Sequence, residues 1–486
     1  MDEDDIKSIK PLPNLDYKVV CGNSLFGIEK NLFNDQLFGE LEKIKPFHLN
    51  ETNPTKKQEY KKQIDHLIMQ ITNGHNEFDF EIYFSEVFHK KCGFDIVIAN
   101  PPYDVYQGDK KIEIQVIRKM SIYSIAEGGK LNAYKLFLAK STKLQKPNGI
   151  ICEIFQNSFL ADNSAKKLRK YFLGNQRIIQ LDSFPERDND KIRVFEDVKM
   201  SICIMLCLNN KESNYNFNLK IWKDKFMSSS TDIFLNNIET LEFDKENATI
   251  PSIGQNELIV LKKVSANKRL SDYAKCYEGE INLTFHKCYL KSKSNGYARM
   301  IKGAAVQRWL IKEKMSQGEI EYLDSHSYLK ENLGKKSQHY KLRRIVMQGI
   351  TGVDEKIRLK MTILEADVFC GNSVNYILIE DKLIEYEFIL GLLNSTLLNW
   401  YFKVFSTNSN VNGYEVDNFP IPDILKVNQK PITNLVSRIL AAKRTNPVAD
   451  TSALEREIDQ LVYQLYDLTP EEIKIVEGEN KIADKP

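Results

Sequence analysis

The sequence lacks several features that would place it in common protein classes. No run of about 18 apolar residues is present, so nothing predicts a membrane span. The acidic start MDEDDIK lacks the basic and apolar regions of a secretory signal. The eight cysteines, at positions 21, 92, 152, 203, 207, 276, 288 and 370, form no CxxC pair, and the seven histidines do not cluster. We therefore expect a cytoplasmic protein with reduced thiols, no metal site and no membrane partner.

An excess of charge of one sign is also lacking. Lys and Arg together number 68 against 66 Asp and Glu, so the net charge gives no sign of a polyanionic partner. Any basic surface must therefore be local. A chain of 486 residues is longer than one hydrophobic core usually serves, and a hydrophobic content of 42% with 28% charged residues is ordinary for a globular protein. We expect two domains and a helical appendage.

Short apolar runs separated by helical patterns dominate the first half of the chain. The runs that suit buried strands are 17–20, 94–99, 149–155, 178–181 and 201–208. Apolar residues recur at helical spacing over 131–144, and 163–175 also has a helical pattern. This alternation predicts an α/β fold with a mostly parallel sheet and helices on its faces, and ligands of such sheets bind at the carboxyl ends of the strands.

Composition divides the chain into three predicted parts. Residues 28–78 are polar and helical in pattern, as in a side helix packed beside the sheet. From about 210 to 250 the chain is polar and without a clear period, which predicts a domain boundary. We expect an α/β domain over 1–230, a second domain of mixed strand and helix over 250–425, and a C-terminal helical segment over 426–486.

The predicted strand at 94–99 ends on the tetrapeptide NPPY. Methylating an exocyclic amine requires two acceptors that hold its hydrogens, so that the nitrogen lone pair points at the methyl donor. Asn100 offers a side-chain carbonyl and Pro101 a main-chain carbonyl, whose direction Pro102 helps to fix because proline restricts φ. Tyr103 offers a ring on which a base can stack. The motif suits a planar amine, although a strand followed by a Pro-Pro turn with Tyr103 merely packing is the other interpretation.

The wider sequence resembles a known family. The segment "CGFDIVIANPPY" resembles the catalytic motif of amino-methyltransferases that use S-adenosyl-L-methionine, in particular the adenine-N6 DNA methyltransferases of the γ order. The segments "LPNLDYKVVCGNSLFG", "LNAYKLFLAKSTKLQKPNGIICEIFQNSFL" and "RVFEDVKMSICIML" resemble further motifs of that family. The chain is similar to the methyltransferase and target-recognition part of a type IIG restriction-modification enzyme. This resemblance implies a Rossmann-like sheet, partial at its N-terminus, followed by a mixed α/β target-recognition domain and C-terminal helices.

The resemblance also implies roles for three further residues. Asn23, with Ser24 beside it, matches the residue that accepts a hydrogen bond from the adenine amine of the cofactor. Phe195 matches the aromatic residue that stacks on the extruded adenine, opposite Tyr103. Considered without the resemblance, Asn23 can equally belong to a turn, and Phe195 can be a core residue beside a strand.

One element of the family is missing. The glycine-rich loop that cradles the methionine part of the cofactor belongs ahead of residue 17, and none of the 22 glycines forms a GxG after a strand in the right place. No nuclease is recognisable either, since PERDNDK at 185–191 is typical of a solvated loop. We expect the C-terminal portion of such an enzyme, from a truncation or a split gene. Alone it would bind S-adenosylmethionine poorly, and an upstream chain or domain would supply the missing loop and the nuclease.

A basic tract lies in the second predicted domain. Residues 335–360 carry eight Lys or Arg against Asp354 and Glu355. Such bases neutralise phosphates, and Arg or Gln can read base edges in the major groove. The segment "MIKGAAVQRW" at 300–309 resembles part of the family's recognition domains. A solvated face with salt bridges is the alternative. With double-stranded DNA as the expected partner, the candidate contacts are Lys341, Arg343, Arg344, Gln348, Lys356 and Arg358.

Three functions stay open at this point. The first is a site-specific DNA adenine-N6 methyltransferase of a restriction-modification system. The second keeps the fold but changes the acceptor to RNA or to a protein glutamine, and the roughly 230 extra residues count against it. The third is a DNA-binding specificity fragment that is inactive until a partner supplies the cofactor loop.

Overall fold

The computed structural model describes residues 17–27, 35–72, 74, 78–313, 322–352, 355–405 and 409–478. The chain divides into two compact units. Unit 1 comprises residues 1–241 and 246–248, and unit 2 comprises residues 242–245 and 249–486. Among the described helices, none combines the length and the apolar character that a membrane span requires.

The described part of unit 1 contains eight strands and several helices. Its strands are β1 (Phe94–Ala99), β2 (Val105–Tyr106), β3 (Leu131–Asn132), β4 (Gln145–Gln156), β5 (Arg177–Phe184), β6 (Ile202–Leu208), β7 (Asn216–Trp222) and β8 (Ser230–Asn236). Its helices are α1 (Asp35–Asn50), α2 (Pro54–Ile71), α3 (Phe80–Tyr83), α4 (Ser85–Lys91), α5 (Lys111–Lys119), α6 (Ala133–Leu144) and α7 (Lys166–Asn175), while α8 (Asn237–Phe243) spans the boundary between the units.

Six strands of unit 1 form one mixed sheet in the order β1-β4-β6-β5-β7-β8. The pairs β1–β4 and β5–β7 are parallel, and the other three pairs are antiparallel. The predicted α/β class is confirmed, but the expectation of a mostly parallel sheet was wrong. No helix lies in the described stretch between β5 and β6. Without a helical crossover the chain turns back, and an antiparallel neighbour results.

The strand predictions in unit 1 have mixed outcomes. The runs at 94–99, 149–155, 178–181 and 201–208 are confirmed as β1, β4, β5 and β6. The strand predicted at 17–20 is wrong, because this stretch is a turn in which Val19 is 79% exposed and the Tyr17 hydroxyl donates to Lys61 and Asp65 of α2. The stretch around 210–250 is not aperiodic, since β7 and β8 lie within it and belong to the sheet.

Helices α6 and α7 flank the sheet of unit 1, and four described helices, α1 to α4, precede β1. α6 packs on β4 and α7 on β5, over buried side chains of the central strands such as Ile151, Phe155, Leu181 and Met205. α1 and α2 pack on each other through Phe38, Leu41, Ile64 and Ile68. Asn53 caps α2 by accepting from the N–H groups of Thr55 and Lys56, with Pro54 at the first helical position. The helical pattern predicted over 28–78 is therefore confirmed for its described part.

Unit 2 combines small sheets with a group of helices. Its strands are β9 (Lys268–Arg269), β10 (Ala274–Glu278), β11 (Leu290–Lys291), β12 (Ala298–Ile301), β13 (Val306–Gln307), β14 (Leu310–Ile311), β15 (Tyr322–Leu323), β16 (Arg344–Gln348), β17 (Met361–Leu364), β18 (Phe369–Cys370), β19 (Val374–Ile379) and β20 (Pro420–Ile421). Its helices are α9 (Gln255–Ser265), α10 (Ser325–Glu331), α11 (Tyr386–Leu393), α12 (Thr396–Phe405), α13 (Gly413–Asp417), α14 (Lys426–Thr445), α15 (Ser452–Leu465) and α16 (Pro470–Glu477).

Two four-stranded sheets organise unit 2. One has the antiparallel order β10-β19-β16-β17, and the other has the order β11-β15-β12-β18. The C-terminal helices pack inside this unit, because α14 contacts α11 and α15, and α16 contacts α9 and α12. The mixed α/β character expected for the region after the first sheet is confirmed.

Candidate active site

The NPPY tetrapeptide follows β1 at the carboxyl end of the strand. β1 pairs in parallel with β4, and the last residue of β1, Ala99, lies opposite Glu153 of β4. Asn100 is exposed, Pro101 is buried and Tyr103 is half-buried. The two strands therefore support an exposed amide followed by a partly covered ring. Both lie at the carboxyl ends of the strands, where α/β proteins bind ligands.

The Tyr103 side chain lies close to the Asn100 amide. Its hydroxyl donates to the Asn100 Oδ1 atom across 3.5 Å, at the outer limit of a hydrogen bond. Burial raises the pKa of Tyr103 to about 12. The phenol is therefore neutral at physiological pH and acts as a hydrogen-bond donor and a stacking surface.

Phe195 lies beside Tyr103 in the structure. The two ring centroids are 5.4 Å apart, and the ring planes meet at 68°, edge to face. A base held between two parallel rings needs about 7 Å between them, twice the ~3.4 Å spacing of stacked bases. The structure brings the two aromatic residues together, and a modest rotation and separation of the rings would make room for a base.

The segment that carries Phe195 is braced by a residue that sequence reasoning missed. Arg193 is 8% exposed, and its guanidinium donates to the main-chain carbonyls of Phe195 at 2.8 Å, of Arg187 at 3.3 Å and of Glu196. Three bonds from one buried side chain hold an irregular loop in one shape. The sequence offers no periodic signal for such a residue, since the loop belongs to no helix or strand.

The NPPY loop is braced from the other side by two amides that were also missed. Gln156, the last residue of β4, donates from Nε2 to the Tyr103 carbonyl at 3.5 Å and accepts from Asn132 Nδ2 at 3.5 Å. The N–H of Ala133, at the start of α6, donates to the Asp104 carbonyl at 2.9 Å. β2, which begins two residues after the tetrapeptide, pairs with β3. Gln156 directly follows the run predicted as a strand at 149–155, and a polar residue at that strand end is the signal that could have found it.

Asn23 and Ser24 lie in a turn that packs against the rest of unit 1. The Asn23 side-chain oxygen accepts from the N–H of Leu25 at 3.1 Å, and Leu25 is buried with Leu136 of α6. A Cβ atom at Gly22 would lie 2.4 Å from Cβ of Phe78, so this turn requires glycine there. Asn23 is exposed, and a carbonyl oxygen has a second lone pair, so it can still accept from a ligand amine.

One edge of the sheet beside this site is open. Among the described residues, β1 has β4 as its neighbour and no strand on its other side. Ile96 is 57% exposed and Ile98 is 77% exposed, and residues two apart on a strand share a face. The parallel sheets of α/β proteins are normally covered on both faces, so an exposed apolar face on an edge strand is unusual.

In unit 2 the structure corrects two of the six DNA-contact predictions. Arg344 has no exposed surface, pairs with the buried carboxylate of Glu280 and lies 4.9 Å from the ring centroid of Tyr376. Arg358 is 1% exposed, and its Nε donates to the Thr351 hydroxyl at 3.3 Å. Both guanidinium groups are enclosed by protein, so neither can contact a phosphate or a base edge. The apolar strand around Arg344 is consistent with this burial, but basic composition alone gave no warning of it.

The other four candidates keep some exposed surface. Lys341 and Lys356 are exposed, and the Lys341 ammonium lies 5.6 Å from the Tyr340 ring centroid. Arg343 is half-buried and pairs with Glu387 at 2.7 Å and Glu365 at 3.3 Å. Gln348 is half-buried and donates to the Val306 carbonyl at 2.7 Å.

Comparisons with known proteins match both units. Residues 23–189 match the Eco57I restriction-modification methylase family, and residues 298–421 match the TaqI-like C-terminal specificity domain. The first match includes Asn23 and the NPPY tetrapeptide and ends before Phe195. The second includes all six DNA-contact candidates.

Two individual relatives and one solved structure are also similar to the chain. The chain is 24% identical over 200 residues to the type II restriction enzyme and methyltransferase RM.Eco57I of Escherichia coli, covering 36% of this chain and 19% of that protein. It is 30% identical over 91 residues to the type II methyltransferase M.BanIII of Aneurinibacillus aneurinilyticus, covering 18% of this chain and 14% of that protein. The chain thus spans less than a fifth of either relative. The structure of the type IIL restriction-modification enzyme MmeI in complex with DNA has a similar fold, with a TM-score of 0.51 at 12% identity over 85% of this chain and 62% of that chain.

Proposed function

We propose that the chain, whose residues 23–189 match the Eco57I restriction-modification methylase family and whose residues 298–421 match the TaqI-like C-terminal specificity domain, is a site-specific DNA methyltransferase acting on adenine N6. The observation that carries the proposal is the grouping of Asn100, Tyr103 and Phe195 at the carboxyl end of β1. The amide and the aromatic pair suit the amine and the two faces of one extruded base. The specificity-domain match favours DNA over RNA or a protein glutamine as the acceptor. The eight cysteines are free thiols, which is consistent with a proposed location in the cytoplasm.

In the proposed reaction the residues of this chain position the amine. The Asn100 side-chain oxygen and the Pro101 main-chain oxygen accept the two N6 hydrogens, and Pro102 restricts the backbone that carries the second acceptor. The lone pair on N6 then points at the methyl donor instead of conjugating with the ring. Tyr103 and Phe195 stack on the two faces of the base, and this stacking offsets the few kcal/mol that extraction from the duplex costs.

The described residues fit one end of the cofactor S-adenosylmethionine, which supplies the methyl group when bound. The Asn23 oxygen in its exposed turn can accept from the adenine amine of the cofactor, with Ser24 adjacent. For the methionine end, no described strand leads into a glycine-rich loop. The fit is therefore partial, and the proposal requires a further polypeptide, joined to this chain or separate, that supplies this loop.

The open edge of β1 is the place where we propose that this polypeptide joins. Its occupant would be a parallel strand followed by the glycine-rich loop, since β1 already runs parallel to β4 and has an unpaired side among the described strands. The exposed Ile96 and Ile98 would be covered by the helix that follows such a strand. Without the added strand the chain would act only as a DNA-binding fragment. This is the second candidate function, and the open edge of β1 is the observation that favours it.

In the specificity domain, we propose that Lys341 and Lys356 neutralise phosphates, because both ammonium groups are exposed. Arg343 and Gln348 would contribute through their exposed parts, although each is already bonded to protein. Arg344 and Arg358 are excluded from this set by their burial.

Sequencing of modified bases in host DNA tests the proposal. The chain is expressed in a host without adenine methyltransferases, alone and with the polypeptides encoded beside it. The expected result is N6-methyladenine at one defined sequence, lost with Asn100→Ala. Asn210→Ala is the matched control, because Asn210 is exposed and follows β6, which runs antiparallel to β4 and therefore ends at the opposite end of the strands from NPPY. A different modified base, or methylation that persists with Asn100→Ala, would refute the proposal.

A further inference from the structure

The tight turn between β7 and β8 exposes a large aromatic side chain. Phe226 is 70% exposed, and the adjacent Met227 is 49% exposed. A single exposed apolar residue is common on protein surfaces and needs no explanation by itself. The turn differs from such cases in two respects, which are its rigidity and its position.

Hydrogen bonds hold the backbone of the turn that carries Phe226. The Asp224 carboxylate accepts from the N–H of Phe226 at 2.8 Å, from the N–H of Ser228 at 3.3 Å and from the Ser228 hydroxyl. These hydrogen bonds lower the pKa of Asp224, and the bond from the Ser228 hydroxyl has the largest effect. The Asp224 carboxylate therefore stays ionised. Met227 adopts a φ of 56°, in the left-handed region, which closes the turn. A residue on such a turn gives up little backbone entropy when it binds a partner.

The turn is bonded to the segment that carries Phe195. The N–H of Lys225 donates to the Ile192 carbonyl at 2.8 Å, and the Lys225 ammonium pairs with Glu196 at 3.0 Å. The same ammonium lies 5.6 Å from the Phe226 ring centroid. Phe195 sits between these two attachment points and faces Tyr103. The turn that carries Phe226 is therefore attached to the segment that carries Phe195, one of the two rings proposed to receive the base.

We propose that Phe226 enters the DNA duplex beside the extruded base and fills the gap that the base leaves. This inference rests on the proposed function and adds the part of the protein that opens the duplex. Extraction exposes the faces of the neighbouring base pairs, and an apolar side chain inserted there covers them. Lys223, exposed at the start of the turn, is placed to neutralise a nearby phosphate. Duplex DNA suits this combination of a rigid aromatic tip and a lysine.

A fluorescent base reports extraction directly. The probe is an unmethylated 30-base-pair duplex. It contains the target sequence identified by modified-base sequencing, with 2-aminopurine in place of the target adenine. The full protein that methylates is added, and the rise in 2-aminopurine fluorescence is measured. Phe226→Ala should lower the extrusion equilibrium about tenfold or more, since stacking on one aromatic side chain is of that order. An abasic site opposite the 2-aminopurine makes extraction easier, and on that duplex the variant should recover most of the signal.

Phe234→Ala is the matched control. Phe234 is 64% exposed on β8 of the same hairpin, four residues beyond Ser230, or roughly 13 Å along the strand. It should behave as wild type. Equal fluorescence from wild type and Phe226→Ala on the fully paired duplex would overturn the inference while leaving the proposed function intact. A variant that instead dissociates a protein complex, with unchanged extrusion, would assign Phe226 to a protein contact and also overturn it. Binding by wild type without any rise in fluorescence would contradict the proposed function itself.

Discussion

The Tyr103 hydroxyl donates to the Asn100 side-chain oxygen across 3.5 Å. That oxygen is the acceptor proposed for the adenine amine. Its two lone pairs can accept from both donors, but the phenol already uses one of them, so the bond to the amine would be weaker. The aromatic ring and the hydroxyl of one residue therefore have separable effects, one favouring the base and one opposing it.

Two substitutions at Tyr103 separate these effects. Tyr103→Phe keeps the ring and removes the competing donor, so kcat/KM should stay within about threefold of wild type or rise. Tyr103→Ala removes the ring, and a loss of ~1–3 kcal/mol of stacking lowers kcat/KM by about 5- to 150-fold. Methyl transfer to a duplex containing the target sequence measures both. If Tyr103→Phe were as damaging as Tyr103→Ala, the ring would not be the part that matters.

The buried pair Glu280–Arg344 is predicted to stabilise the fold without contacting DNA. Glu280→Gln leaves a buried guanidinium without its counter-charge and should destabilise unit 2 by about 3–5 kcal/mol. The double variant Glu280→Gln with Arg344→Met removes the unpaired charge and should recover part of this loss. Urea unfolding measures both effects.

Lys341→Ala is the contrasting variant in the same domain. Removal of an exposed ammonium should leave the free energy of unfolding within about 0.5 kcal/mol. The slope of log K against log salt concentration for DNA binding should become shallower by about one. An unchanged slope would remove Lys341 from the DNA interface.

Glu153 is predicted to make the stability of unit 1 depend on pH. It is fully buried on β4, its hydroxyl partner is Ser141, and burial raises its pKa to about 7. The unfolded carboxyl ionises near its ordinary pKa of 4.5, while the folded one keeps its proton. The fold therefore loses stability as pH rises from about 4.5 to 7, by ~3 kcal/mol in total, and the penalty is constant above that window.

Glu153→Gln tests this dependence, because the amide keeps the shape and cannot ionise. The variant should be more stable than wild type at pH 8 and nearly equal to it at pH 4.5. Urea unfolding at the two pH values, followed by tryptophan fluorescence, gives the comparison. A difference that does not change between the two pH values would exclude Glu153 as the titrating group.

The open edge of β1 is predicted to be an assembly surface. Ile96→Lys combined with Ile98→Lys should leave the stability of this chain nearly unchanged, because both side chains are already exposed. Association with the polypeptide that carries the cofactor loop should weaken at least tenfold, since lysine on an edge strand opposes further pairing. Co-purification and calorimetry measure the association. Ile112→Lys, at a 79% exposed position on α5, is the control and should associate normally. Micromolar binding of S-adenosylmethionine by this chain alone would argue against any need for the partner.

Much of the local structure followed from the sequence, for a physical reason. Short apolar runs form the strands β1, β4, β5 and β6. Such runs are expected to be buried, so the amino-acid sequence predicts these strands. The role proposed for NPPY also came from the sequence, because the tetrapeptide places two acceptors and a ring in adjacent positions. The pairing of Tyr103 with Phe195 came from the resemblance to a family and not from spacing, since 92 positions separate them.

Strand direction, register and burial of charge were decided by the tertiary structure. A run of apolar residues has the same pattern in either direction, so the antiparallel placement of β6 between β4 and β5 could not be predicted. The same limit applies to Arg344, which composition placed on a DNA-binding surface and the fold placed against Glu280. The residues that surround Arg344 lie up to 64 positions away in the sequence, so a local sequence pattern cannot predict its burial.

The sequence by itself determined the chemical groups at the site and the order in which they occur along the chain. The tertiary structure alone decided which of them meet, how Arg193 and Gln156 hold their loops, and where an edge of the sheet stays open. The reason is that side-chain chemistry is a property of each residue, whereas distance and burial arise from long-range packing that no short segment encodes.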